Sequence, residues 1–304
     1  MKKNLISISD LTRHEIDAIF LKTDELKSGS KKFSRALQGK SLGLIFQKPS
    51  NRTRVSFEVG IAQLGGYAIY LGPDEIQLGV REEIRDVART LSRYLDCIVA
   101  RTFSHDDVIE LARHSSIPVI NGLSDLTHPC QGLSDLYTVK EKMGRLKGLK
   151  IAYIGDGNNV LHSLLLGCSI MGMDISIATP KGYEPRRDIL HQAFEKSKKS
   201  GARITLLHEP ERAVKDSHVI YTDVWTSMGQ EKERNKRLKA FKGFQIDLRL
   251  VSKARRDCLI MHCLPAHRGE EITDEVIEGR HSVVWDQAEN RLHVQKAIML
   301  KLMV

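Results

Sequence analysis

The densest run of hydrogen-bond donors in the sequence is Lys48-Pro49-Ser50-Asn51-Arg52-Thr53-Arg54. It follows an apolar run at 41–47 and precedes a helical stretch carrying Val55, Phe57, Val59, Ile61 and Leu64, so it reads as a strand-to-helix turn. Such a turn offers free backbone N–H groups and the positive end of a helix dipole to an anion. The Ser50 and Thr53 hydroxyls add neutral donors, and the two arginines add forked bonds to phosphate oxygens. Each charged bond of that kind contributes about 1.5–3 kcal/mol. An ordinary capped helix with surface arginines uses the same residue types, but this density of donors favours a phosphate cradle.

Four further segments carry chemistry. In Asp125-Leu126-Thr127-His128-Pro129-Cys130-Gln131, His128 and Gln131 stand three apart at a helix start and share a face near its positive end. A histidine there favours its neutral form and can donate to a carbonyl oxygen, although a lone histidine more often serves structure. Arg101, just past the apolar run 97–100, is a third donor candidate for that oxygen. Asp223-Val224-Trp225-Thr226-Ser227-Met228-Gly229 follows another apolar run. Its carboxylate suits a ligand ammonium and its Ser-Met-Gly suits a closing loop, while a turn around a buried Trp225 explains it equally well.

In 262–271, His262, Cys263 and His267 suggest zinc, but zinc ligands usually come in closer, repeated pairs and no second cluster exists. No metal is expected. Cys263 is open to two readings, a buried structural thiol or a substrate contact at a strand end. In Asp156-Gly157-Asn158-Asn159 the dinucleotide glycine pattern fails, because Val160 follows where the pattern needs glycine. No nucleotide cofactor is expected, and Asn159 either offers an amide to a polar ligand or caps the following helix.

These segments need a scaffold of alternating strands and helices. Apolar runs at 41–47, 67–71, 97–100 and 118–120 are read as strands, with helices around 82–94 and 106–114. A long helix from Leu133 to Met143 leads to a basic stretch. A second set of strands follows at 151–155, 174–179, 204–207, 218–222, 258–262 and 282–285, with helices near 159–171, 186–199 and 273–278 and a last helix at 287–302. The fold class is therefore α/β: two domains, each a mostly parallel sheet flanked by helices. In such sheets ligands bind beyond the carboxyl ends of the strands, where most of these motifs fall.

The 304 residues suffice for two domains, and 41% apolar residues suffice for their cores. The net charge of +9 sits in helix faces and loops without interleaved aromatics, so no nucleic-acid partner is expected. No apolar run reaches the roughly 20 residues of a membrane span, and no secretion signal is read at the start. Five scattered cysteines (Cys97, Cys130, Cys168, Cys258 and Cys263) are expected as reduced thiols in the cytoplasm.

Taken together, the segments from FQKPSNRTRVSFE to WDQAENRLH resemble the aspartate/ornithine carbamoyltransferase family, and within it the ornithine branch. The resemblance implies a carbamoyl-phosphate domain (1–146 with the C-terminal helix 287–304) and an ornithine domain (147–286). It also implies two interdomain helices, which accounts for a last helix with no strand after it. The family motif Ser-Thr-Arg-Thr-Arg is here Ser50-Asn51-Arg52-Thr53-Arg54. Asn51 removes a hydroxyl but keeps a backbone N–H and adds an amide, so phosphate binding is expected to survive with altered affinity. By the same resemblance Ser50, Asn51, Arg52, Thr53, Arg101, His128, Gln131, Cys263, Leu264 and Arg291 bind carbamoyl phosphate, with Arg101, His128 and Cys263 catalytic. Asn159, Asp223, Ser227 and Met228 match ornithine-binding positions. The implied activity is transfer of a carbamoyl group to the side-chain amine of L-ornithine, by a homotrimer or a multiple of trimers. Another carbamoyltransferase, acting on acetylornithine, putrescine or aspartate, and a non-catalytic ligand-binding paralogue are the alternatives.

Overall fold

A computed structural model describes residues 4–29, 31–227 and 229–304. The chain divides into two compact units, one running to Tyr137 and taking in Glu289–Val304, the other Thr138–Ala288. Two helices, Pro129–Met143 and Val284–Met303, each contain residues of both units.

The first unit opens with the helix Arg13–Lys27. Thr12 accepts from the Glu15 backbone while the Glu15 carboxylate accepts from the Thr12 N–H, so two helix-start donors are satisfied reciprocally. Ile16, Ile19 and Phe20 recur at helical spacing and are buried, each contributing about 1.5–3 kcal/mol. Four strands follow: β1 (Ser41–Phe46), β2 (Tyr67–Leu71), β3 (Cys97–Arg101) and β4 (Val119–Leu123). They form a parallel sheet in the order β2-β1-β3-β4. β1 and β3 are buried along their whole length, as inner strands covered on both faces must be.

The second unit holds β5 (Lys150–Ile154), β6 (Asp174–Ala178), β7 (Ile204–Leu207), β8 (Val219–Thr222) and β9 (Leu259–His262). All are parallel, in the order β7-β6-β5-β8-β9. The helix Asn159–Met171 is buried almost throughout beside this sheet. Gly157 has a packing reason: a Cβ there would meet the Glu184 backbone at 2.4 Å.

Three expectations need correction. The run 282–285 is not a strand, because Ser282 makes only an isolated bridge to Ile260 and Val284 opens the final helix. Four apolar residues read the same way in a strand and in the first turn of a buried helix. The helix expected from Leu133 starts at Pro129, whose fixed φ and missing N–H suit a first helical position. Arg101 is the last residue of β3 rather than beyond it. No helix among the described residues is long and apolar enough to cross a membrane.

Candidate functional site

In each sheet the strand order reverses once, between β1 and β3 and between β5 and β8. A crevice at the carboxyl ends is expected at such a reversal. The residues singled out from the sequence collect at these two places.

In the first unit the 50–53 turn follows β1, Arg101 ends β3 and His128 follows β4. Thr53 donates its N–H to Ser50 Oγ at 3.2 Å, whereas Asn51, at the cap position, makes no capping bond. Arg291 enters from the last helix and donates to Thr53 Oγ1 at 2.6 Å. Thr53, Arg101, His128, Gln131 and Arg291 are all buried. Burial, then Arg291, Arg101 and Arg52, pushes His128 well below its usual range. Burial lowers Arg101 to about 10, with Arg291 and Arg52 adding like charge. Buried Arg101, Arg291 and His128 and partly buried Arg52 thus bring like positive charge to bear on one another, an arrangement that an anion would relieve.

Arg101 Nε and Gln131 Oε1 are among the buried polar atoms that lack a partner among the described residues. Gln131 gives its amide N–H to Asp135 at 2.8 Å, so the remaining oxygen is an acceptor suited to an N–H of a ligand. One expectation fails here. Arg54 does not join the cluster, because it pairs with Glu58 at 2.9 Å and stacks 3.6 Å above the Tyr70 ring. Arg291, reached from the sequence only through resemblance, stands beside Thr53 as the further arginine.

In the second unit Asp223 follows β8 and Cys263 follows β9. The Cys263 thiol donates to Asp223 Oδ1 at 2.9 Å. Asp223 Oδ2 accepts from the Asn158 amide at 2.7 Å, and Oδ1 accepts from the Val224 N–H. Asn158, not Asn159, caps the helix, its carbonyl accepting from Val160 and Leu161. The sequence reading missed Asn158, although a residue one place before a helix start is the natural cap. Asn159 is the first helical residue, next to this cluster in sequence. Ser227 is half-buried and donates its N–H to Gln230 Oε1, and Met228 lies outside the described residues.

Trp225 is buried and stacks on Phe241, so the turn packs a tryptophan as one of the two readings held. Asp156, nearly buried, is raised to about 6 by desolvation against the opposing pull of Arg237, its ion-pair partner at 2.9 Å. Arg237 also donates to the Trp225 carbonyl. Leu264 sits in the left-handed region at φ 57°. Asp223, His262 and Cys263 bring one donor atom each within 4.8 Å of one another. Both His262 nitrogens are engaged, with the Leu264 N–H and with Glu271, so the trio has little to offer a metal.

Two family models match the chain. "Aspartate/ornithine carbamoyltransferase, carbamoyl-P binding domain" matches residues 3–141, and the corresponding "Asp/Orn binding domain" matches 147–302. An ornithine carbamoyltransferase of Thermococcus kodakarensis is 54% identical over 99% of this chain and 96% of its own. One of Bacillus subtilis is 53% identical over 98% and 92%. The solved structure of ornithine carbamoyltransferase from Pyrococcus furiosus superposes with a TM-score of 0.96 at 53% identity, covering 99% of this chain and 96% of that one.

Proposed function

The chain belongs to the aspartate/ornithine carbamoyltransferase family, and from that membership we infer that it transfers the carbamoyl group of carbamoyl phosphate to the side-chain amine of L-ornithine, releasing L-citrulline and phosphate. The observation that carries the reading is the positive charge that Arg52, Arg101 and Arg291 bring to bear on a buried His128, an arrangement fit for an acyl phosphate.

The Ser50–Thr53 turn and Arg52 take the phosphate through uncapped N–H groups, hydroxyls and a guanidinium. Arg101, Thr53 and neutral His128 donate to the carbamoyl oxygen, and Gln131 Oε1 accepts from the carbamoyl N–H. Leu264 and Arg291 complete the contacts with carbamoyl phosphate. Asp223 pairs with the α-ammonium of ornithine, and Asn159, Ser227 and Met228 fix the same end. The uncharged side-chain amine attacks the carbamoyl carbon, the bond to the phosphate oxygen breaks, and the amine gives up a proton. Charge developing on the carbamoyl oxygen meets donors already in place, each worth about 2.7–4 kcal/mol in a comparable site. Cys263, whose thiol lies beside Asp223, is assigned to both substrates by likeness to the family.

We assign 1–146 with 287–304 to carbamoyl phosphate and 147–286 to ornithine, in a cytoplasmic enzyme of arginine synthesis. A relative from Pyrococcus furiosus named "Ornithine carbamoyltransferase, anabolic" supports that direction. We also assign a homotrimer. Its support is apolar exposure: Val55 and Val59 one turn apart on the helix Arg52–Gln63, and Tyr67 and Ile69 on one face of edge strand β2, which that helix packs against.

The test supplies carbamoyl phosphate with ornithine, aspartate, acetylornithine or putrescine in turn. Citrulline from ornithine at a kcat/KM far above the other three products is expected. Faster turnover of any other acceptor, or no product at all, overturns the reading.

A further inference from the structure

We propose that Glu271 and His262 form a positioning pair that sets the backbone of Cys263 and Leu264, and through Cys263 the carboxylate of Asp223 that grips ornithine. The proposal rests on the reading of Asp223 and Cys263 as ornithine-side contacts.

His262 ends β9 with its side chain fully buried. Its Nδ1 accepts the Leu264 N–H at 2.8 Å, so that nitrogen carries no proton. The imidazole proton is therefore on Nε2, which faces Glu271 Oε1 at 3.1 Å. The same Oε1 accepts the His267 N–H at 2.6 Å. One buried carboxylate thus fastens both ends of the 262–267 loop. Glu271 is itself fixed from outside the loop, since its carbonyl accepts the Ile246 N–H at 2.9 Å. The strand end is held too, because the His262 N–H donates to Gln287 Oε1, and Gln287 Nε2 donates to the Tyr221 hydroxyl.

The loop needs this restraint. Leu264 holds a left-handed φ of 57° that a bulky residue adopts only when its surroundings impose it. Relaxation of Leu264 swings the preceding Cys263, whose thiol meets Asp223 Oδ1 at 2.9 Å. Asp223 would then keep Asn158 on Oδ2 and the Val224 N–H on Oδ1 but lose the thiol, the only one of these donors that comes from the 262–267 loop. Glu271 Oε2 is buried without a partner among the described residues, so the carboxylate is a costly choice for simple packing. Glu271 was not singled out from the sequence, and His262 was noted there only for zinc.

Three variants and one spectrum test this. An asparagine carbonyl can occupy the place of Nδ1, whereas a glutamine amide reaches only the place of Nε2. His262→Asn should keep the Leu264 bond and hold the ornithine KM within about threefold of the parent. His262→Gln should lose that bond and raise it about tenfold, the upper size of one neutral hydrogen bond. Glu271→Gln, the gentlest change, keeps an acceptor oxygen and should raise the ornithine KM by no more than about threefold. A purely structural role predicts lowered melting temperatures with an unchanged ornithine KM in all folded variants, and that result overturns the proposal. In protein carrying 15N-histidine, His262 should show its proton on Nε2; a proton on Nδ1 overturns the proposal whatever the activity. Wild-type protein that makes no citrulline while showing the Nε2 tautomer would sink the functional reading and leave the pairing standing.

Discussion

Arg101 shows how burial and like charge would prepare the group we propose as catalytic. It sits in a dry strand end beside two other arginines, and burial brings it down to about 10, so it stays protonated at neutral pH. Removing it should relieve repulsion in the unliganded protein while deleting a preorganised donor. Arg101→Ala is expected to cut kcat by about 10²–10³-fold, the scale of one lost oxyanion donor, with a melting temperature unchanged or higher. Kinetics beside a thermal melt decide it, and normal turnover would defeat the assignment. The ornithine amine adds a second expectation: an alkyl ammonium titrates near roughly 10.4, so kcat/KM for ornithine should climb between about pH 6 and 9. A flat profile there would count against attack by the free amine. The turn that holds Ser50, Arg52 and Thr53 was legible as a strand-to-helix connection because its polar residues interrupt two apolar stretches. Arg291 was not, since its meaning comes from a bond to Thr53 that spans 238 positions of sequence.

At the scale of elements, the helix Arg234–Ala240 shows why a loop next to Asp223 keeps its shape. Arg237 joins Asp156, at the end of β5, to the Trp225 carbonyl. Because burial raises Asp156 to about 6, the folded protein binds this proton more tightly than the unfolded chain. Its contribution to stability is therefore greatest below the unfolded value near 3.8 and is lost as pH rises through 6. Binding runs the other way, since protonation removes the charge opposite Arg237 and loosens the Trp225 turn. Norvaline, which is ornithine without its side-chain amine, separates this effect from titration of the substrate. Its affinity should fall as pH drops from about 7 to 5 in the wild type but hold nearly level in Asp156→Asn; parallel curves would remove Asp156 from the account. Most strands were legible because inner parallel strands are unbroken apolar runs, and 282–285 misled for that same reason. Strand order was not legible, because the direction of each crossover is decided by packing.

For the whole molecule, the exposed apolar stripes of the first unit set the question of assembly. Val55, Val59, Tyr67 and Ile69 lie on a helix and an edge strand packed together, and an unpaired edge strand with apolar side chains is a surface that natural proteins normally cover. A stable interface buries about 800 Å² on each partner, so four such residues would be its centre rather than its whole extent. At about 25 cal/mol per Å² the apolar part outweighs the loss of a few rim contacts, and charge placed at its centre should be decisive. Light scattering of the wild type is expected to give the mass of three chains, and the double change Tyr67→Lys with Ile69→Lys the mass of one. Phosphate should still raise the melting temperature of the single-chain form, by mass action on the contacts we assign to Ser50, Arg52, Thr53, Arg101 and Arg291 of one chain. A wild type that runs as one chain sinks the trimer. A dissociated variant that no longer responds to phosphate would mean that a second copy supplies part of the pocket.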